Sequence, residues 1–283
     1  MRKILAIGIG TGNPDHLTVQ AIHALRRVEV VFLLDKGSSK ADLGPVRREI
    51  CARYIESGKY RLVALADSER DASVSSYTER VEDWHERRVE RFERALEAEL
   101  PEQACGAFLV WGDPSLYDST LRILEALERR GRLRFEYEVI PGLSSPQLLA
   151  ARHKIILNRI GGAVQITTGR RLAAGWPSDA EDVVVMLDAE CAFGKLPDND
   201  LEIYWGAYLG TEHELLIKGP LAERKHEIAE LRAAARARHG WIMDTYLLRR
   251  ISRAPIHRAV PEQSLPEPPG GGIVAAPVPG ERT

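Results

Sequence analysis

The residues with the clearest chemical meaning are glycines at the ends of apolar runs. Gly8, Gly10 and Gly12 close or follow the run 3–9 (KILAIGI). Gly112 and Asp113 follow 107–111 (AFLVW), and Pro141 and Gly142 follow 134–140 (RFEYEVI). A glycine in such a place lets another molecule approach the backbone. In open α/β sheets, ligands bind beyond the carboxyl ends of the strands. The first turn invites a dinucleotide reading, because Asp35 closes the next apolar run, where a ribose-binding acid would stand. That fingerprint needs a glycine at the place of Asn13, and Pro14 removes one of the backbone donors that would hold a pyrophosphate. A tight turn without a ligand stays open for this loop. Asp113 has two readings, as an acceptor for an ammonium or hydroxyl group and as the cap of the helix that follows. Ser144 and Ser145 have the same double reading. Three such turns point to one crevice rather than three unrelated loops.

The elements that must position these turns can be read from periodicity. Residues 3–9, 28–34, 60–65, 107–111 and 134–140 predict strands. Helical patterns lie between them, near 14–25, 40–56, 76–100 and 119–130, the last closed by Gly131. In the helix 76–100, Tyr77, Val81, Trp84, Arg88 or Val89, Phe92 and Leu96 share a face. Such βα alternation predicts an α/β domain with a mostly parallel sheet, over 1–153. After it, strands at 163–168, 183–187, 201–208, 214–218 and 241–248 surround one long helix, 221–238. That pattern predicts an α+β domain with a mixed sheet over 154–254. Seven of the 16 prolines lie after Arg253, so 255–283 reads as a Pro/Gly-rich tail.

Composition narrows the function. The formal net charge is −2, with 44% apolar and 28% charged residues, so a globular chain is expected and nucleic acid is not expected as a partner. Cys51, Cys105 and Cys191 form neither a disulfide framework nor a metal-ligand pattern, which points to a cytoplasmic location and no metal. No apolar run approaches the roughly 18 residues of a membrane span.

Four segments then carry a resemblance. IGIGTGNPDHLT (7–18), VWGDPSLYDST (110–120), EVIPGLSS (138–145) and LGTEHELLIKGPL (209–221) resemble the signature loops of the tetrapyrrole methylases, in that family's order. Further segments are similar to the member that both methylates carbon 1 of the macrocycle and releases its acetyl group as acetate: VFLLDKG (31–37), YTERVEDWHERR (77–88), GDPSLYDSTLRIL (112–124) and HGWIMDTYLLRR (239–250). There are departures too. Thr11 and Asn13 stand where the first loop often has Pro and Asp, and MLDAEC (186–191) replaces a Met-Gly type turn.

The resemblance implies a two-domain fold with S-adenosylmethionine in the cleft between the domains. It implies cofactor contacts from Thr11, Trp111, Gly112, Asp113, Leu116, Ser144, Ser145, Met186 or Leu187, and Gly210. It also implies a tetrapyrrole substrate, a homodimer, and a second step in which acetate leaves. For that step the candidates are Asp35 first, then His85, Tyr117 and Lys36, each with an alternative role in packing, capping or solvation. Lys36, Trp84 and Arg88 are the expected substrate contacts. The pairs Arg47–Arg48, Arg87–Arg88 and Arg152–Lys154 are further cations for the substrate's carboxylates. The alternatives are a sister methyltransferase, an RNA ribose methyltransferase, a nicotinamide-dependent oxidoreductase and a non-catalytic binding protein.

Overall fold

Strand β1 (Arg2–Gly8) shows how the first half is built. Its side chains alternate, with Leu5 and Ile7 in one buried cluster and Ile4 and Ala6 in another. A strand buried on both faces belongs in the middle of a parallel sheet. The structure, a computed structural model, describes residues 1–35, 44–66, 77–197 and 200–251. Lys36 and the Pro/Gly-rich tail lie outside them, and only the backbone of Asp35, Tyr77 and Val81 is described.

The first sheet has the order β3-β2-β4-β1-β5 and is parallel throughout. Its other strands are β2 (Val30–Asp35), β3 (Arg61–Ala66), β4 (Cys105–Val110) and β5 (Phe135–Ile140). On one face lie α1 (Val19–Leu25) and α2 (Gly44–Tyr54). On the other lie α3 (Tyr77–Glu99) and α4 (Thr120–Arg130). The first helix begins later than the sequence predicts. Asn13 accepts from the Asp15 N–H to cap a single 3-10 turn over Pro14–His16, and Thr18 then caps α1 by accepting from the Ala21 N–H. Gly131 ends α4 at φ 65°, as expected.

The second sheet has the order β6-β7-β10-β8-β9. Its strands are β6 (Val164–Thr168), β7 (Asp182–Met186), β8 (Leu201–Ala207), β9 (Leu215–Pro220) and β10 (Asp244–Arg250). Strands β6 and β7 are parallel and the other pairs antiparallel, so the sheet is mixed. One face carries α7 (Leu221–His239), packed through Leu221, Ile228 and Ala235. The other carries α5 (Ser145–His153), whose Leu148 and Leu149 meet Val184, Tyr204 and Leu247. Helix α5 thus starts at a first-sheet loop and covers the second sheet. A short α6 (Gly169–Ala173) joins β6 to β7. Met1–Ile251 form one compact unit. No helix among the described residues is long and apolar enough to cross a membrane.

Candidate active site

The three glycine turns meet at the carboxyl edge of the first sheet. The Gly112 N–H donates to the Gly10 carbonyl at 2.8 Å, and the Gly10 N–H donates back to the Gly112 carbonyl at 3.3 Å. A methyl group at Gly8 would lie 2.5 Å from the Gly142 nitrogen, and one at Gly142 would collide with the Gly112 carbonyl. The turns are therefore in backbone contact and make one crevice. Gly112 differs from the other two. Its φ is 71°, a region side chains rarely adopt, while the space beside it is open apart from the Ser144 Cα at 3.9 Å. Two variants separate the roles. Gly142→Ala should lower the melting temperature more than Gly112→Ala. The first forces a backbone collision costing about 1–3 kcal/mol or more, and the second incurs only the left-handed penalty of about 1–2 kcal/mol. Equal melting temperatures would contradict this packing.

Asp113 joins the second turn to the third. Its Oδ2 accepts from the Gly142 N–H at 2.8 Å, and its Oδ1 accepts from the N–H and hydroxyl of Ser115. Burial works to raise its pKa, but these hydrogen bonds outweigh it and hold the carboxyl below its usual range. The carboxylate thus fixes two loops to each other while it lines the cavity. Ser144 behaves as a cap, with its N–H and hydroxyl both donating to Gln147 Oε1 at 2.9 and 2.8 Å. Ser145 reaches across to the second sheet, its hydroxyl 2.9 Å from that of Thr245 on β10.

Between the sheets these loops enclose a cavity of about 170 Å³. Ten residues expected from the sequence line it: Thr11, Trp111, Gly112, Asp113, Leu116, Tyr117, Ser144, Ser145, Met186 and Leu187. Thr11 is only 2% exposed, and its hydroxyl has no hydrogen-bond partner among the described residues. A buried hydroxyl left without a partner is costly, so this wall of the cavity fits a polar ligand. The Tyr117 phenol has its pKa raised by burial, offset in part by Arg171, and is a hydrogen-bond donor at neutral pH.

Other expectations fall elsewhere. Gly210 is not among the lining residues. Its N–H donates to Glu214 at 2.7 Å, and a methyl group on it would lie 3.1 Å from the His16 ring. The neighbouring Thr211 methyl meets Gly12 on the first loop, so this segment supports the cleft from behind. Trp84, His85 and Arg88 lie on α3 and do not line the cavity. Arg88 is 5% exposed; it donates to the Ser119 hydroxyl at 2.7 Å and stacks on Trp84 at 4.5 Å. One arm of its guanidinium is thus held by the residue that precedes α4. Burial, then Arg88 and Arg122, push the His85 pKa down, so the ring is neutral at neutral pH. Asp35 ends β2 at the same sheet edge as the glycine turns.

Comparison with known proteins decides the lineage. Residues 3–224 match the family model of the tetrapyrrole (corrin/porphyrin) methylases. The chain belongs to this family. It is 54% identical over 250 residues to a precorrin-6A synthase [deacetylating] from Sinorhizobium sp., covering 88% of this chain and 96% of the relative. It superposes on the crystal structure of a cobalamin synthesis related protein, CobF, from Corynebacterium diphtheriae with a TM-score of 0.77. The identity is 42%, and the match covers 89% of this chain and 100% of that one. A uroporphyrin-III C-methyltransferase from Thermus thermophilus, solved with S-adenosyl homocysteine, shares the fold at TM-score 0.54 and 19% identity. That match covers 88% of this chain and 98% of the other.

Against this tetrapyrrole methylase background, one departure noted in the sequence gains a meaning. Leu187 stands where the Met-Gly type turn would place glycine, and its φ is 53°. That is the left-handed region, which favours glycine. A buried network holds it there. Asp188 accepts from the Glu190 and Ala192 N–H groups and from the Tyr246 hydroxyl, while Arg232 donates to the carbonyls of Asp188 and Ala189. Arg232 also pairs with Asp244 Oδ2 at 3.0 Å, which in turn accepts from the Trp205 indole N–H. Burial raises the Asp244 pKa, and Arg232 opposes that shift. Sequence reasoning missed Asp118, Met243, Asp244 and Thr245 as lining residues, and Arg47 was only one of several candidate cations. A carboxylate in the otherwise apolar stretch WIMDTYLL was the available signal for Asp244.

Proposed function

We propose that this chain is an S-adenosylmethionine-dependent C-methyltransferase of cobalamin biosynthesis. It acts as a deacetylating precorrin-6A synthase, methylating precorrin-5 at carbon 1 with loss of acetate. The observation that carries the cofactor reading is Thr11, a buried hydroxyl without a partner among the described residues, in a cleft formed by loops of both sheets. The relative named precorrin-6A synthase, matched over nearly its whole length, supports the choice of substrate.

When bound, S-adenosylmethionine supplies an electrophilic methyl group on a sulfonium, so the chain needs no nucleophile of its own for that transfer. The Thr11 hydroxyl, the backbone at 111–113, Leu116, Ser145 and Met186 form the walls that would hold it. Asp113 and Ser145 keep those walls in register, and positioning of this kind can supply roughly 7–11 kcal/mol of barrier reduction. For acetate release, the neutral Tyr117 phenol can donate to a developing oxyanion, and Asp35 is the proposed base for the attacking water. The division at 1–153, 154–254 and 255–283 is kept as part of this reading, as is a cytoplasmic location without nucleic-acid or membrane partners.

The decisive test is anaerobic incubation with S-adenosylmethionine and precorrin-5, with mass spectrometry of the product and an acetate assay. A methylated product with no acetate released would point to a sister methyltransferase, and no product would remove the substrate assignment. A homodimer is also proposed, from the resemblance and from Val139, exposed on edge strand β5. Light scattering that finds only monomer would remove it.

A further inference from the structure

The mouth of the cavity carries two residues whose backbone lies where only glycine is at ease. Tyr117 has φ 55° and Leu187 has φ 53°. Their side chains are 41% and 63% exposed. Such conformations persist only where the surroundings hold them. For Leu187 those surroundings are the network of Asp188 and Arg232 described above. A turn fixed from beneath while its leucine stays in solvent offers apolar surface to something outside the protein.

Helix α6 stands next to that turn. Thr168, the last residue of β6, pairs in parallel with Met186, so α6 begins at the same sheet edge as Leu187. Gly169 packs so closely on Asp188 that a methyl group there would collide with the carboxylate. Arg171 lies within this helix and is exposed. Among the described residues its side chain has neither a hydrogen bond nor an ion pair, unlike buried Arg47, whose Nε donates to the Leu109 carbonyl at 3.0 Å. Its charge is felt by Tyr117, where it opposes the effect of burial. An aromatic ring and a leucine therefore line the cavity, and an uncommitted guanidinium stands on the short helix that begins beside them. A tetrapyrrole has the matching character, with a broad apolar ring face and carboxylates at its edge.

We infer that Arg171 is a specificity-determining residue that binds an edge carboxylate of the substrate, with Tyr117 and Leu187 against the neighbouring ring face. The inference rests on the substrate reading above. A planar guanidinium suits a carboxylate better than an ammonium does, because it offers paired donors.

The experiment compares Arg171→Gln, Arg171→Glu and Arg171→Lys with the unaltered chain in precorrin-5 turnover. The KM for precorrin-5 should rise roughly three- to ten-fold in Arg171→Gln, further in Arg171→Glu, and least in Arg171→Lys. Calorimetric affinity for S-adenosylhomocysteine should stay the same in all three, which also reports that they are folded. Added salt should narrow the gap between the unaltered chain and Arg171→Gln, because the pair is solvent-accessible. An unchanged precorrin-5 KM in Arg171→Glu would overturn this assignment alone. Failure of the unaltered chain to convert precorrin-5 would overturn the substrate reading and this assignment with it.

Discussion

Tyr117→Phe is expected to slow acetate release by roughly 10²–10³-fold, the usual effect of losing one oxyanion donor, while S-adenosylhomocysteine formation changes far less. The two outputs should separate because only one needs proton chemistry. Methyl transfer from a sulfonium requires neither an acid nor a base from the protein. In the expulsion of the acetyl group, water loses a proton to the base and adds to the carbonyl, where the negative charge must be stabilised. The bond from that carbon to the macrocycle then breaks, its electron pair neutralises the positive charge that methyl transfer left on the macrocycle, and acetate leaves. Tyr117 lines the cavity, and burial keeps its phenol protonated, so it is suited to donate and not to act as base. Asp35→Asn tests the complementary role, since it keeps the side chain's shape but abolishes its basicity. It should slow acetate release by about 10²–10⁴-fold. In both variants a methylated, still acetylated product should accumulate, which assumes that methylation comes first. Equal slowing of both outputs would indicate positioning instead. Normal acetate release from both variants would exclude these two residues from the step.

Arg232→Met is expected to destabilise the fold by about 3–5 kcal/mol at neutral pH, since it leaves a buried carboxylate without its partner. Arg232 and Asp244 are both buried, and Arg232 also holds the carbonyls of Asp188 and Ala189. The loss should therefore extend to the Met186–Leu187 turn, and S-adenosylhomocysteine affinity should fall as well. The pH dependence has a definite sign. The folded-state pKa of Asp244 is raised above its unfolded value, so the folded state binds the proton more tightly. Its ionisation then removes stability as pH rises from about 3.9, the unfolded value, through the folded value. Without Arg232 that pKa rises further, and the deficit of the variant should shrink as pH falls from neutral towards 4. Urea titrations at several pH values would measure this. A deficit that does not vary with pH would show that Asp244 is not the source of the penalty.

Asp113 titrates in the opposite sense, which helps to tell the two carboxylates apart. Its folded-state pKa is depressed by the Ser115 and Gly142 hydrogen bonds. The stability it contributes is present above its unfolded pKa and is lost as pH falls through the lower folded value. Acid should therefore loosen the contact between the second and third loops while it relieves Asp244.

What was legible in the sequence was what local geometry imposes on single residues. Gly8 and Gly142 must be glycine because other backbones touch them, and Gly112 because of its φ, so the crevice could be located from the turns alone. The apolar run 3–9 marked a strand, and the structure buries its Leu5 and Ile7 on one face and its Ile4 and Ala6 on the other. The replaced Met-Gly turn was visible at 186–187, although the left-handed backbone of Leu187 was not. Only the tertiary structure decided where the polar side chains go. Asp113 spends an oxygen on Gly142, 29 residues away, and Arg88 finds Ser119, 31 residues away. Asp188 and Tyr246 meet across 58 residues. The physical reason is that periodicity assigns a residue to a face but does not say which element packs on that face. A buried carboxylate or guanidinium takes whichever partner that packing delivers, because leaving it unpaired costs more than any local preference. Helix α5 follows the same rule. Its start belongs to a first-sheet loop, and its apolar face is settled by the second sheet, whose strands supply Val184, Tyr204 and Leu247.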